Sequence, residues 1–117
     1  MSYHHFIRLN NDLDIHVIRE NISTIINNCP ESYCFSFPQH RQFLNSVCCS
    51  LKNNDINIQA KLFKNRIILI SSKNFIREEI LDILKQYLSI PMDISTIKSY
   101  YQYFDHKTQK CVKQIIE

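Results

Sequence analysis

The chain has no glycine, no tryptophan and a single alanine, Ala60. Phosphate loops of the Walker and dinucleotide-binding types depend on glycine residues whose backbone comes close to a phosphate. The missing glycine therefore argues strongly against nucleotide-dependent enzymes of these classes. It also means that turns with a positive φ must use other residues, of which asparagine and aspartate are the most tolerant. Pairs of asparagines at 10–11, 27–28 and 53–54 mark expected turns.

Long hydrophobic runs are also missing. The longest uncharged apolar run is "IILI" at 67–70, whereas a membrane-spanning helix needs about 20 residues. The first residues, "MSYHHFIRLNNDLD", contain no basic region followed by an apolar stretch, so neither a secretory signal nor a transit peptide is expected. We predict no membrane partner and a cytoplasmic location, which would be an organelle matrix or a host cytoplasm if an organelle or a virus encodes the chain.

Isoleucine and asparagine are abundant, with nineteen and eleven residues in a chain of 117. Their codons are AT-rich, while the codons for the missing glycine and the scarce alanine are GC-rich. This bias indicates an AT-rich genome, such as that of a large DNA virus, a parasite, an organelle or an endosymbiont. It carries no information on mechanism.

Five cysteines, an odd number with one adjacent pair, indicate reduced thiols. Cys29 and Cys34 with nearby His40 form the strongest metal candidate, but zinc sites usually combine two close pairs of ligands. We therefore expect no metal and no cofactor. A cysteine-dependent enzyme is the third functional hypothesis, since a thiol needs a histidine within hydrogen-bond reach and no local motif provides one. The groups concerned are Cys34, Cys49, His16, His40 and His106.

Length and a hydrophobic content of 44% predict one globular domain over residues 1–117. Alternating apolar residues in "YCFSF" and "INIQAKLF" predict strands, and apolar residues at spacings of three and four predict helices. The fold class is α+β, in the order β-α-β-α-β-β-α-α, with a small mixed or antiparallel sheet whose central hairpin is covered by helices. The predicted elements are a strand at 4–9, a helix at 11–26, a strand at 33–37, a helix at 39–52, a hairpin at 55–72, a helix at 74–88 and a helical tail at 93–116.

The tail allows two interpretations. Seven residues follow one another at spacings of three and four, which favours a helix capped by Asp93. The alternative is a β-hairpin, "IKSYYQYF" turning at "DHKT" into "KCVKQII", which the aromatic content favours. We predict the helix. Its apolar stripe comprises Ile94, Ile97, Tyr101, Phe104, Thr108, Cys111 and Ile115.

The leading functional hypothesis is a small non-enzymatic protein that binds another protein or a second copy of itself. It rests on the aromatic stripe, which suits a helical interface, and on the absence of catalytic motifs. The alternative is a nucleic-acid-binding module, because residues 52–77 carry six basic groups and one acidic group. Two tyrosines of the tail are candidates for stacking on bases. The residues of this alternative are Lys61, Lys64, Arg66, Tyr100, Tyr103, Lys107, Lys110 and Lys113.

Overall fold

Seven strands and three helices lie in the residues that the computed structural model describes, 1–38 and 45–116. Their order along the chain is β1-α1-α2-β2-β3-β4-β5-α3-β6-β7. The bounds are β1 Ser2–Leu9, α1 Ile15–Glu20, α2 Ile22–Asn27, β2 Cys34–Ser36, β3 Ser46–Lys52, β4 Asn57–Phe63, β5 Arg66–Ser71, α3 Arg77–Tyr87, β6 Ile94–Asp105 and β7 Lys110–Ile115.

All seven described strands join one antiparallel sheet in the order β2-β3-β4-β5-β1-β6-β7. The first strand thus lies inside the sheet, between β5 and β6. His5 of β1 lies opposite Leu69 on one side and Ser99 on the other. One sheet that contains every described strand makes the chain a single compact domain.

Side chains of a strand point alternately to the two faces of its sheet, and the helices cover only one of them. We call this face the covered face. Its centre contains Ile7 of β1 and the cross-strand pair Leu69 and Ala60 of β5 and β4. Leu69 and Ala60 have no exposed surface. Ile18 of α1 and Leu84 of α3 belong to the same buried cluster. The opposite face, which we call the open face, has no helix packed against it among the described residues.

The predicted helix at 11–26 is two short helices that meet at Asn21, which ends α1 and begins α2. The first helix also begins later than the predicted start at residue 11. Asp14 caps α1 by accepting a hydrogen bond from the Val17 backbone N–H at 3.2 Å. The Asn11 side chain joins two loops, since its Nδ2 donates to the Pro91 carbonyl.

The predicted helix at 39–52 is wrong over 46–52, where the chain forms β3, while 39–44 lies outside the described residues. Val47, Cys49 and Leu51 are buried in alternation. Cys49 pairs with Ala60 of β4, so the segment fills the sheet between β4 and β2. Two positions of the predicted helical face, Val47 and Leu51, also fit this strand period, which explains the ambiguity.

The predicted helical tail at 93–116 is also wrong, and the alternative hairpin is correct. β6 and β7 form an antiparallel pair around a turn in which Gln109 has a φ of 57°. β6 also pairs with β1 along the whole of that strand. Without β6, the backbone groups on that side of β1 would have no partner in the sheet. Aromatic and β-branched residues suit this pleated surface well.

The two predictions with the clearest local signals are confirmed. Residues 55–72 contain the β4–β5 hairpin, joined by Lys64–Asn65, and residues 74–88 contain α3. Three strands, β3, β6 and β7, replace two of the predicted helices, and the described sheet is antiparallel throughout. The domain is therefore richer in sheet than the predicted α+β order.

A serine occupies the position at which a helix often ends on glycine. Ser89, the residue after the C-cap Leu88 of α3, has a φ of 53°. The backbone N–H of Ile90 donates to the Lys85 carbonyl at 3.3 Å, which is the hydrogen bond of a Schellman motif. Ile90 is buried beyond it and fixes the chain where it leaves the helix.

Candidate nucleic-acid interface

The open face is formed by the even-numbered residues of β1, β3, β5 and β6 and by their cross-strand partners. A cluster of three rings lies at its centre, where β1 and β6 pair. His4 lies opposite Tyr100, and their ring centroids are 4.8 Å apart with nearly parallel planes. Phe6 stacks beside them, 5.4 Å from Tyr100. Ile68 and Ile70 of β5, both half-buried, extend this apolar centre to the next strand.

Among the described residues, the strand positions of the open face carry charge of one sign only. These described positions carry six basic side chains and no carboxylate. Glu78, Glu79 and Asp82 lie on α3 instead, on the other side of the sheet. Such segregation produces a surface of positive potential that attracts polyanions. The six residues are Arg8, Lys52, Lys61, Arg66, Lys98 and Lys113.

Two of these cations are directly opposite one another. Arg8 of β1 pairs in register with Arg66 of β5, although like charges at such positions repel. The Arg66 guanidinium lies 4.6 Å from the centre of the Phe63 ring, a contact that orients it. A cavity of about 440 Å³ opens beside the two arginines.

The ring of His4 is electrostatically coupled to this surface. Partial burial, followed by the ammonium groups of Lys113 and Lys61, lowers the pKa of His4 below its usual 6.5. The Lys113 ammonium lies 5.0 Å from the centre of the Tyr100 ring, and Tyr100 stacks on His4. Since the folded-state pKa is lower than the unfolded one, the stabilisation from neutral His4 is complete above pH 6.5. It is lost as the pH falls through the lowered value.

We expect Lys113→Gln to raise the pKa of His4, because a positive charge that disfavours the imidazolium is removed. The measurement is a pH titration of the His4 ring proton resonances by NMR. Lys85→Gln, which removes the same charge from the end of α3, is the control and should leave the titration unchanged. An identical His4 titration in the Lys113→Gln variant and the native protein would contradict this account.

Four of the eight residues predicted for nucleic-acid contact lie together on the open face: Lys61, Arg66, Tyr100 and Lys113.

The other four do not join them. Lys64, in the β4–β5 turn, lies 3.6 Å from the Asp12 carboxylate. Lys107 is in the turn between β6 and β7. Tyr103 and Lys110 occupy strand positions of the covered face, where Tyr103 stacks on Tyr101. Tyr100 is itself half-buried in the ring cluster, so neither tyrosine is an isolated ring.

The predicted interface stripe is not one surface. Ile97 and Tyr101 occupy positions of the covered face, whereas Phe104, Cys111 and Ile115 lie on the open face.

The two remaining members of the stripe lie at its ends. Ile94 is at the irregular start of β6, opposite Leu9, and Thr108 is in the turn before β7. A helix would have placed these seven residues on one face, whereas the strands of the hairpin place them on both faces of the sheet.

Sequence reasoning missed His4, Phe6 and Arg8 of β1, Lys52 of β3 and Lys98 of β6. The signal was present, because His4, Phe6 and Arg8 alternate along "HHFIRL" and therefore share one face of a strand. Only the pairing of β1 with both β5 and β6 brings this face next to Arg66 and Tyr100. That pairing joins segments that are far apart in sequence.

The five cysteines are free thiols, of which Cys34 and Cys111 are exposed. Cys49 is buried on the covered face, and burial together with nearby Cys48 raises the pKa of the Cys49 thiol to about 12. It is therefore protonated at neutral pH. No group of three or more His, Cys, Asp or Glu residues in 1–38 and 45–116 could hold a metal ion. His40 of the metal candidate lies outside those ranges.

A buried serine and histidine lie directly behind the ring cluster. A hydrogen bond of 2.6 Å joins His5 Nδ1 and Ser99 Oγ, and Arg77 Nη1 donates to the same oxygen at 3.0 Å. Ser99 is only 3% exposed, and His5 packs edge-on against Phe75. These contacts attach the start of α3 to β1 and β6 and so support the open face from behind.

Among the described helices, none combines the length and the apolar character that crossing a membrane requires. Comparison of the chain with protein-family models, with curated proteins and with solved structures found no match.

Proposed function

We propose that the protein binds single-stranded nucleic acid across the open face. The observation that carries the proposal is the arrangement, at the described strand positions of this face, of six cations and no carboxylate around an aromatic centre. Proteins that hold single strands with little sequence preference combine a basic track for the backbone with aromatic side chains for the bases. Both parts are present on this face.

The basic side chains are positioned for phosphates. Lys98, Phe6, Ile68 and Lys61 form one row across four neighbouring strands, so that an ammonium group lies on each side of the apolar centre. Lys98 is exposed and Lys61 half-buried, and neither has an ion pair in the described part of the chain. Their charge is therefore available to an anion.

A second cavity, of about 500 Å³, offers room for a base beside the rings. Phe6 and Tyr100 line one part of it, and Lys98 and Ile115 another. A base in this cavity would contact aromatic and aliphatic surface. In a duplex the bases are paired and stacked on one another, so this contact favours an unpaired strand.

Fluorescence anisotropy with labelled oligonucleotides tests the proposal. We expect binding to single strands at low salt, weaker binding to a duplex of the same sequence, and affinity that falls as salt rises. No binding at low salt would overturn the proposal. Affinity that does not change across the salt series would also contradict it, because displacement of counterions would then play no part.

Self-association is the second candidate function, and one observation favours it. β7 is an edge strand of the described sheet, and strand edges readily pair with another chain. Ile115 at its end is 75% exposed. If two copies join at this edge, light scattering should show a dimer whose fraction rises with concentration, and Ile115→Lys should reduce it. A strict monomer at all concentrations would exclude this candidate.

A further inference from the structure

The cavity beside the two opposed arginines lies at one end of the open face. Arg66 is the first residue of β5, and Arg8 is the penultimate residue of β1. Phe6, Lys98, Ser95 and Thr96 contribute to the wall of the cavity, and none of the described residues that line it is acidic. Three basic residues and two hydroxyl-bearing residues thus line a space of about 440 Å³.

This arrangement costs free energy in the absence of an anion. Arg8 and Arg66 face each other across two neighbouring strands, and such like-charge pairs are destabilising. Neither arginine forms an ion pair with an acidic residue in the described ranges. Repulsion between them would be relieved by an anion that both guanidinium groups contact.

We infer that this cavity binds the terminal phosphate of the nucleic-acid strand that the open face holds. The inference rests on the proposed function. A terminal phosphate carries a charge between −1.5 and −2 at neutral pH and has three acceptor oxygens, whereas each internal phosphate carries one charge. A cavity with three cations favours the more highly charged group.

The donors suit a phosphate group chemically. A guanidinium donates two parallel hydrogen bonds to phosphate oxygens, and such charge-assisted bonds are about twice as strong as neutral ones. Contact with the Phe63 ring restricts the Arg66 guanidinium, which reduces the entropy lost on binding. Thr96 lies opposite Arg8 in the neighbouring strand, and its hydroxyl group can donate a hydrogen bond to a third oxygen of the phosphate.

The neighbouring cavity explains why the end of a strand fits here. Phe6 and Lys98 line both cavities, so the two spaces adjoin. A nucleotide with its phosphate beside Arg8 would have its base next to Phe6 and Tyr100. The next nucleotides would continue across the face toward Lys113, away from the end that the arginines occupy.

The test compares three oligonucleotides of one sequence, about ten nucleotides long, a length within the usual range for such platforms. One carries a 5′-phosphate, one a 3′-phosphate and one only hydroxyl ends. We expect one phosphorylated form to bind about tenfold more tightly than the hydroxyl form, as charge-assisted bonds to two arginines would produce. The end that gives the effect identifies the polarity of the strand.

Arg8→Gln and Arg66→Gln, tested separately, should each remove most of this preference while the hydroxyl-ended oligonucleotide still binds. Lys52→Gln is the matched control, since it removes one open-face charge at the far end of β3. It should weaken all three oligonucleotides equally and leave the preference intact.

Equal affinity for all three oligonucleotides in the native protein would overturn the terminal-phosphate inference and leave the proposed function in place. An unchanged preference in both arginine variants would overturn it as well. If none of the oligonucleotides binds at low salt, the proposed function fails, and the inference that rests on it fails too.

Discussion

Replacing Lys61, Lys98 and Lys113 together by glutamine is expected to weaken the binding of a single-stranded oligonucleotide by roughly tenfold or more at low salt. All three side chains lie on the open face around the aromatic centre. Each phosphate contact contributes about −0.7 to the slope of log affinity against log salt for single strands, so the slope should become shallower by about two. Anisotropy titrations across a salt series measure both quantities.

The matched control replaces Lys85, Lys107 and Lys110 by glutamine. It changes the net charge by the same amount, but all three side chains are exposed and none occupies a strand position of the open face. We expect little change in affinity and in slope. Equal losses in the two triple variants would mean that binding follows net charge alone, and the open face would then not be the binding site.

The second large effect is a difference in stability between substitutions on the two faces of β5, of which only one packs into the core. Leu69 has no exposed surface, whereas neighbouring Ile70 is half-buried on the open face. Leu69→Ala should lower the free energy of unfolding by about 2–5 kcal/mol, because it removes apolar contacts and leaves a cavity. Ile70→Ala should cost roughly 1 kcal/mol, mainly from reduced strand propensity. Urea unfolding of the two variants provides the comparison.

This pair also tests the register of the sheet. A shift of β5 by one residue would exchange the two faces and reverse the order of the two effects. Equal losses would contradict a sheet that is covered on one face only. Circular dichroism should show that both variants retain the native fold before their free energies of unfolding are compared.

Local patterns predicted the elements whose structure depends on neighbours in sequence. The β4–β5 hairpin was predictable because Ile58, Ala60 and Leu62 alternate and a short polar link follows. α3 was predictable because Ile80 and Leu84 recur at helical spacing with acidic residues near the helix start.

The two helix predictions that were wrong concern segments whose apolar spacing fits both a helix and a strand. In β3, Val47 and Leu51 are four residues apart, which fits one face of a helix and also one face of a strand. In the tail, a run at spacings of three and four was compatible with a helix. Pairing of β6 with β1, whose residues lie 85 (Leu9 to Ile94) to 100 (Ser2 to Gln102) positions earlier in the chain, provides the contacts of a strand instead. No local pattern contains that information.

The candidate site was predictable only in part for the same reason. Lys61 and Arg66 were found because basic residues are concentrated around the hairpin. His4, Phe6 and Arg8 belong to a segment whose net charge is unremarkable. They lie in the site because β1 is placed between β5 and β6 in the sheet.

The separation of charge between the two sides of the sheet makes the domain an electric dipole, which a net charge of +3 does not reveal. The exposed carboxylates of α3 form part of its negative side and the six cations of the open face its positive side. In the field of a polyanion the molecule would rotate as it diffuses, so that encounters begin with the aromatic centre turned toward the strand. The association rate should therefore carry much of the salt dependence, and added salt should increase the number of unproductive collisions.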